Sequence, residues 1–197
     1  MLLVETQNFK CSPIQLLEGI KSPAGNPIVE GILTTVELKN GNGRYYPRKL
    51  WEDELEKYSE FVNENRAMGE LDHSDEQVVN LKNVSHVIRK IWWDGDNIMG
   101  RIEILPTPAG NILRSLIENN VTIGVSSRGV GELEQKGGVM EVSSYSLICW
   151  DAVSNPSNPG SFPKLVNESL ISPKYNYSQV NNIIREILCS KGSCPIF

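Results

Sequence analysis

Val84-Ser85-His86-Val87-Ile88-Arg89-Lys90-Ile91-Trp92-Trp93 runs into Asp94-Gly95-Asp96-Asn97 and then Ile98-Met99-Gly100-Arg101-Ile102-Glu103-Ile104-Leu105. Two segments rich in β-branched and aromatic residues flank a turn of Asp, Gly and Asn, which is the pattern of a β-hairpin. Adjacent Trp92 and Trp93 on a strand point to opposite faces, so one indole packs inward and the other covers a surface. A hairpin fixes antiparallel pairing, and the rest of the chain is legible outward from it.

On the C-terminal side, Thr107-Pro108 opens a helix, Thr as N-cap and Pro at the first helical position. Ile112, Leu113, Leu116 and Ile117 form its apolar stripe, and Asn119-Asn120 close it. Val121-Thr122-Ile123 reads as a strand entering Gly124-Val125-Ser126-Ser127-Arg128-Gly129. Gly131 to Gln135 follows, then a Lys136-Gly137-Gly138 turn and a long strand from Val139 to Val153. On the N-terminal side, Met68-Gly69-Glu70 reads as a short strand opening into an acidic loop. Before it, residues 48–65 carry a helical stripe of Leu50, Glu54-Leu55, Tyr58, Phe61 and Val62. Residues 28–38 fit a strand with a bulge. Hairpins with two interspersed helices imply an α+β fold: a mostly antiparallel sheet or β-barrel with helices packed around it. The chain divides into a 1–27 segment of loop with one short strand, a 28–163 domain ended by Pro156, Pro159 and Pro163, and a 164–197 tail in which Ser178 caps a last helix to Cys189.

A formal net charge of -5 and the lack of a basic stripe argue against nucleic acid as a partner. No apolar run reaches the length of a membrane span, and the amino terminus lacks the basic region of a signal peptide. Cys11, Cys149, Cys189 and Cys194 show no paired spacing, which fits a reducing compartment.

The chemistry gathers in three separated segments. Ser126 and Ser127 lie between glycines at what reads as the end of a strand with open backbone N–H groups, a setting for a nucleophile beside an oxyanion hole. The chain has two histidines, so a histidine mechanism must use His73 or His86. His73 sits where a strand meets a loop; His86 lies inside a strand and reads as an ordinary hydrogen-bonded residue. Asp151 ends an almost uncharged strand, where a carboxylate needs a partner, and an imidazole held in one tautomer is a fitting one. Glu70, Asp72, His73, Asp75 and Glu76 could alternatively hold a divalent ion, although no second His or Cys stands at ligand spacing. No metal or other cofactor is expected.

Gly69-Glu70-Leu71-Asp72-His73, the Gly-Val-Ser-Ser-Arg-Gly core at 124–129, and Trp150-Asp151-Ala152-Val153 leading to Pro156-Ser157 occur in this order. Together with Asn42-Gly43-Arg44-Tyr45-Tyr46-Pro47 and the Trp92-Trp93 hairpin, they resemble the prohead core proteases of myovirus-type tailed phages. The resemblance spans roughly residues 28 to 163. It implies a serine endopeptidase related to the herpesvirus assemblins, working in the host cytoplasm inside the assembling prohead on capsid and scaffold or core precursor proteins. It further implies His73 as general base, Ser126 as nucleophile with Ser127 the alternative, and Asp151 as third member. In assemblins that place belongs to a second histidine, which makes His86 the alternative here. Arg128 and Gly129 are candidates for the oxyanion site, and Arg128 also for an acidic substrate side chain. Cleavage after Glu in aliphatic-x-Glu contexts, including self-cleavage, is implied as well, and among Ile28-Val29-Glu30, Leu50-Trp51-Glu52, Leu116-Ile117-Glu118 and Ile184-Arg185-Glu186 the last lies outside the packed elements, making Glu186 the expected self-cleavage site. A structural core subunit that kept the fold without the chemistry is the alternative to an enzyme.

Overall fold

A computed structural model describes residues 1–4, 21–154 and 164–165. Its elements in chain order are β1 (Leu2–Val4), β2 (Ile28–Thr35), β3 (Arg44–Tyr45), α1 (Arg48–Asn63), β4 (Met68–Glu70), β5 (Val84–Asp94), β6 (Asn97–Ile104), α2 (Pro108–Glu118), β7 (Gly124–Lys136), β8 (Val139–Val153) and β9 (Lys164–Leu165). They build two sheets, one ordered β1-β7-β8-β3 and the other β4-β5-β6-β2-β9. Among the described residues the fold is therefore α+β and sheet-rich, with two helices. The expected closed barrel is not found among the described residues.

The hairpin of the opening stretch forms, with Asp94 paired to Asn97 across Gly95 at φ 58°. The second hairpin turns through Gly137 and Gly138, both at positive φ, which a tight two-residue turn requires and glycine adopts without strain. The bulge expected in β2 lies between Ile32 and Thr34. Thr107 caps α2 as expected, its Oγ1 accepting from the Gly110 N–H at 2.9 Å. The strand expected at Val121–Ile123 does not form; β7 starts at Gly124. Asn120 turns the chain at φ 58°, and the Val121 N–H bonds back to the Leu116 carbonyl, so closing α2 overrides β propensity there.

The core lies where α1 packs against both sheets. Trp51 and Trp150, both essentially unexposed, stack at 5.8 Å, and Tyr58 meets Trp150 edge-on at 5.0 Å. Trp51, absent from the expected stripe, carries this contact, while Phe61 and Ile112, placed in the stripes, remain exposed. Trp93 packs against the core under the Arg48 guanidinium, and Trp92 lies beneath Lys90 at the surface. Glu54 is buried for a local reason. Ile148 is an extra residue in β8, between the pairs Arg128–Cys149 and Gly129–Leu147, and the Leu147 N–H next to this bulge donates to Glu54 Oε2 at 2.9 Å.

The sheets meet at one end of β4. Leu71 forms a parallel bridge with Ala152, and the Asp72 N–H donates to the Ala152 carbonyl at 2.8 Å. A side chain at Gly69 would stand 2.1 Å from the Trp150 carbonyl and 2.3 Å from His86, so only glycine lets the sheets close there. β1 and β9 extend the sheets beyond the 28–163 boundaries, pairing with β7 and β2. The rest of the 164–197 tail, its expected helix and Glu186 included, lies outside the described residues. No helix among the described residues is long and apolar enough to cross a membrane.

Candidate active site

Strand register sorts the candidates. Ser126 pairs with Asp151 and Arg128 with Cys149, while Val125 pairs with Ala152 and Ser127 with Trp150. Directly opposed residues of an antiparallel pair share a face, and alternate residues share it too. Ser126, Arg128, Cys149 and Asp151 therefore stand on one face, and Ser127 stands with Trp150 on the core face. Ser126 is the third residue of β7, inside the ladder rather than at its open end, and it is 1% exposed.

His73 reaches that face from the loop after β4. Asp72 adopts φ 67°, a conformation that Asp tolerates better than most residues, and its Oδ1 accepts the His73 N–H at 3.0 Å. This turn aims the imidazole back at β8, where His73 Nδ1 lies 2.7 Å from Asp151 Oδ2. A carboxylate accepts, so Nδ1 donates, and in the neutral ring Nε2 is then the nitrogen with the lone pair. Nε2 is buried and has no hydrogen-bond partner among the described residues. An imidazole in this tautomer can take a proton at Nε2, which is what a general base does.

Asp151 is fully buried, and burial raises its pKa; hydrogen bonds from His73 and Arg128, the guanidinium charge and the Glu70 N–H outweigh that and lower it to about 2. Its Oδ1 accepts from the Glu70 N–H at 2.9 Å and the Cys149 thiol at 3.2 Å, and its Oδ2 from Arg128 Nε at 2.8 Å as well as from His73. Burial, then the Asp151 charge, push the Cys149 thiol far up, so it stays a protonated donor.

Arg128 was expected at the oxyanion or on an acidic substrate. It is instead 0% exposed, its NH2 2.5 Å from Glu70 Oε1 and its Nε on Asp151, with no part left at the surface. Burial lowers its pKa, but the hydrogen bonds and charge of Asp151 and the bond to Glu70 raise it further, so it stays charged. Gly129 lies between Leu3 of β1 and Leu147 of β8, and a Cβ there would collide with the Tyr145 ring and the Ser146 carbonyl. Packing thus explains this glycine, and the ladder on both sides encloses the backbone expected to serve an oxyanion.

His86 is in a different place. Its Nε2 donates to the Trp150 carbonyl at 3.1 Å and its Nδ1 accepts from Ser85 Oγ at 2.8 Å, so both nitrogens are committed away from His73. Burial lowers its pKa to about 4, against the raising effects of Asp151 and the Trp150 carbonyl, so it is neutral near pH 7. The acids proposed as a metal cluster also part company: Glu70 is buried on Arg128, while Asp72 and Asp75 are exposed.

The role of Glu70 escaped sequence reasoning. Arg128, two residues from Ser126, shares its face by strand period alone, and a buried cation there requires counter-charges; Glu70, three residues before His73, supplies one.

Three comparisons bear on this geometry. Residues 18–170 match the family model described as prohead core protein serine protease. The chain is 30% identical over 186 residues to the prohead core protein protease of Enterobacteria phage T4, covering 85% of this chain and 86% of that one. The solved structure of the bacteriophage T4 capsid assembly protease superimposes with a TM-score of 0.68 at 29% identity, covering 77% of this chain and 96% of the other.

Proposed function

This chain belongs to the prohead core serine protease family, and from that premise we propose that Ser126, His73 and Asp151 are its nucleophile, general base and orienting acid. As a member it is a protease of the assembling phage prohead, and capsid and core proteins are its substrates. One observation carries the residue reading: the 2.7 Å bond from His73 Nδ1 to a buried, ionised Asp151 whose cross-strand partner is Ser126.

In the proposed reaction Ser126 Oγ attacks the scissile carbonyl while its proton passes to His73 Nε2, and Asp151 stabilises the imidazolium. The tetrahedral intermediate collapses as His73 returns that proton to the leaving amine. Water then repeats the sequence on the acyl-enzyme, losing a proton to His73 and releasing the carboxylic acid. The preferred sites are peptide bonds after Glu in aliphatic-x-Glu sequences of the precursors, with self-trimming after Glu186.

Fluorophosphonate labelling of the full chain tests the residue reading. Ser126 Oγ bonds to phosphorus, fluoride leaves, and the hydroxyl proton goes to His73. Wild type labels at Ser126; labelling that persists in Ser126→Ala overturns the assignment.

A further inference from the structure

The loop that carries His73 is poorly held by apolar packing. Between Leu71 and Asn83, Val78 and Leu81 are 68% and 70% exposed, and Asp75, Glu76 and Gln77 are exposed as well. Its ties come from a buried ion pair underneath. Arg128 NH1 donates to Ser74 Oγ at 2.9 Å and to the Glu76 carbonyl at 2.5 Å. Glu70 Oε1 accepts the Asn80 N–H at 3.0 Å, and Glu70 Oε2 accepts from Asn83 Nδ2 at 3.3 Å. The same two residues hold the acid on β8: Arg128 Nε donates to Asp151 Oδ2, the oxygen that accepts the His73 Nδ1–H bond, and the Glu70 N–H donates to Oδ1.

We propose that Arg128, backed by Glu70, is a positioning residue that sets the His73–Asp151 geometry by tying the strand of the acid to the loop of the base. This rests on the triad reading above. A buried ion pair is a poor way to gain stability alone, because desolvating three charged groups offsets most of their attraction. What it supplies here is direction. A planar guanidinium donates from Nε toward β8 and from NH1 toward the loop in one rigid fork, and the compact ammonium of lysine cannot reach both. Glu70 holds Arg128 NH2 with its carboxylate and Asp151 Oδ1 with its backbone N–H, so one residue fixes both the cation and the acid that His73 faces.

The test uses the full chain, with Arg128→Lys and Ser74→Ala as variants and a fluorophosphonate as probe. The readouts are kinact, KI and the imidazole N–H signals in proton NMR, which the two histidines keep assignable through His86→Gln. Misplacing a reacting group by about an ångström costs roughly 100-fold in rate, so Arg128→Lys is expected to lower kinact by about that factor. KI should stay within about threefold, because the binding surface is untouched. The His73 Nδ1–H signal should vanish into exchange, while the His86 Nε2–H signal, held by the Trp150 carbonyl on the other sheet, persists as the marker of an intact fold. Ser74→Ala removes one of the two loop contacts of Arg128 NH1 together with the Ser74 Oγ bond to Glu70 Oε1, leaves the Glu76 carbonyl in place, and should lower kinact roughly tenfold with His86 unchanged. Unchanged kinact and a persistent His73 signal in a folded Arg128→Lys overturn the proposal. If Arg128→Lys loses both imidazole signals, Ser74→Ala decides: slower labelling supports the tie and wild-type labelling overturns it. If His73→Ala labels as fast as wild type, the triad reading fails separately, while loss of the His73 signal in Arg128→Lys still reports the coupling.

Discussion

Ser126 stands directly across the β7–β8 ladder from Asp151, and its neighbour Ser127 stands across from Trp150. One residue of register therefore separates a hydroxyl on the face of the buried carboxylate from a hydroxyl on the face of the aromatic core. Alternation makes the choice binary, since no extended backbone presents both serines to His73.

Ser126→Ala is expected to lower precursor cleavage about a thousandfold or more, as for residues that act as one unit. Ser127→Ala, on the Trp150 face, should keep activity within about tenfold and lose stability instead. Steady-state cleavage by both variants, with circular dichroism to confirm folding, checks this. A folded Ser127→Ala as inactive as Ser126→Ala reverses the register.

Sequence alone disclosed the hairpin at Val84–Leu105 and the α2 cap at Thr107, because turn and capping chemistry act over a few residues. The segments of the site were legible for the same reason, and their order carried the family resemblance. Three features were not legible. Val121–Ile123 has strand composition but serves to close α2, a tertiary demand that propensity does not encode. Trp51 leads the α1 core through ring contacts with Tyr46, Tyr145 and Trp150, which lie far apart in the chain and leave no trace in the periodicity of α1. Arg128 reads as a contact for the oxyanion or an acidic substrate side chain until the register puts it between Glu70 and Asp151.

His86 predicts an acid-labile fold. Its pKa is lowered to about 4 from 6.5, so the unfolded chain binds a proton that the folded one refuses between those values. Stability contributed by neutral His86 is present above pH 6.5 and is lost as pH falls toward 4, a change of about 3 kcal/mol. His86→Gln can still donate to the Trp150 carbonyl but does not titrate. Urea unfolding across that window should show a flatter slope for the variant, with activity within about tenfold of wild type. A folded His86→Gln as inactive as His73→Ala transfers the role of third member to His86.

Self-trimming is expected after Glu186, between Glu186 and Ile187, which removes the segment holding Cys189 and Cys194. Ile28-Val29-Glu30 fits the same pattern, but Val29 is buried within β2, and cutting there requires local unfolding of the core. Intact-mass measurement over time reads the product directly, with Ser126→Ala as control. A wild-type chain that keeps its full mass while cutting a capsid precursor removes self-processing and leaves the protease standing.

Asp151→Asn should fail in two measurable ways, because no amide fits its site. Oδ1 accepts from the Glu70 N–H and Oδ2 from Arg128 Nε, so either orientation of an asparagine turns its NH2 against an obligate donor. The variant also loses the charge that holds the His73 imidazolium, and cleavage should fall by about 10⁴-fold. Burial alone would raise the pKa of Asp151; the bonds from His73 and Arg128 instead lower it from 3.8 to about 2. A depressed carboxylate contributes stability that is complete above pH 3.8 and is lost as pH falls toward 2, here about 2 kcal/mol. Acid titration of unfolding in wild type and Asp151→Asn should therefore diverge at neutral pH and converge toward pH 2. Curves that stay parallel down to pH 2 contradict an ionised Asp151, and with it the acceptor that fixes the His73 tautomer.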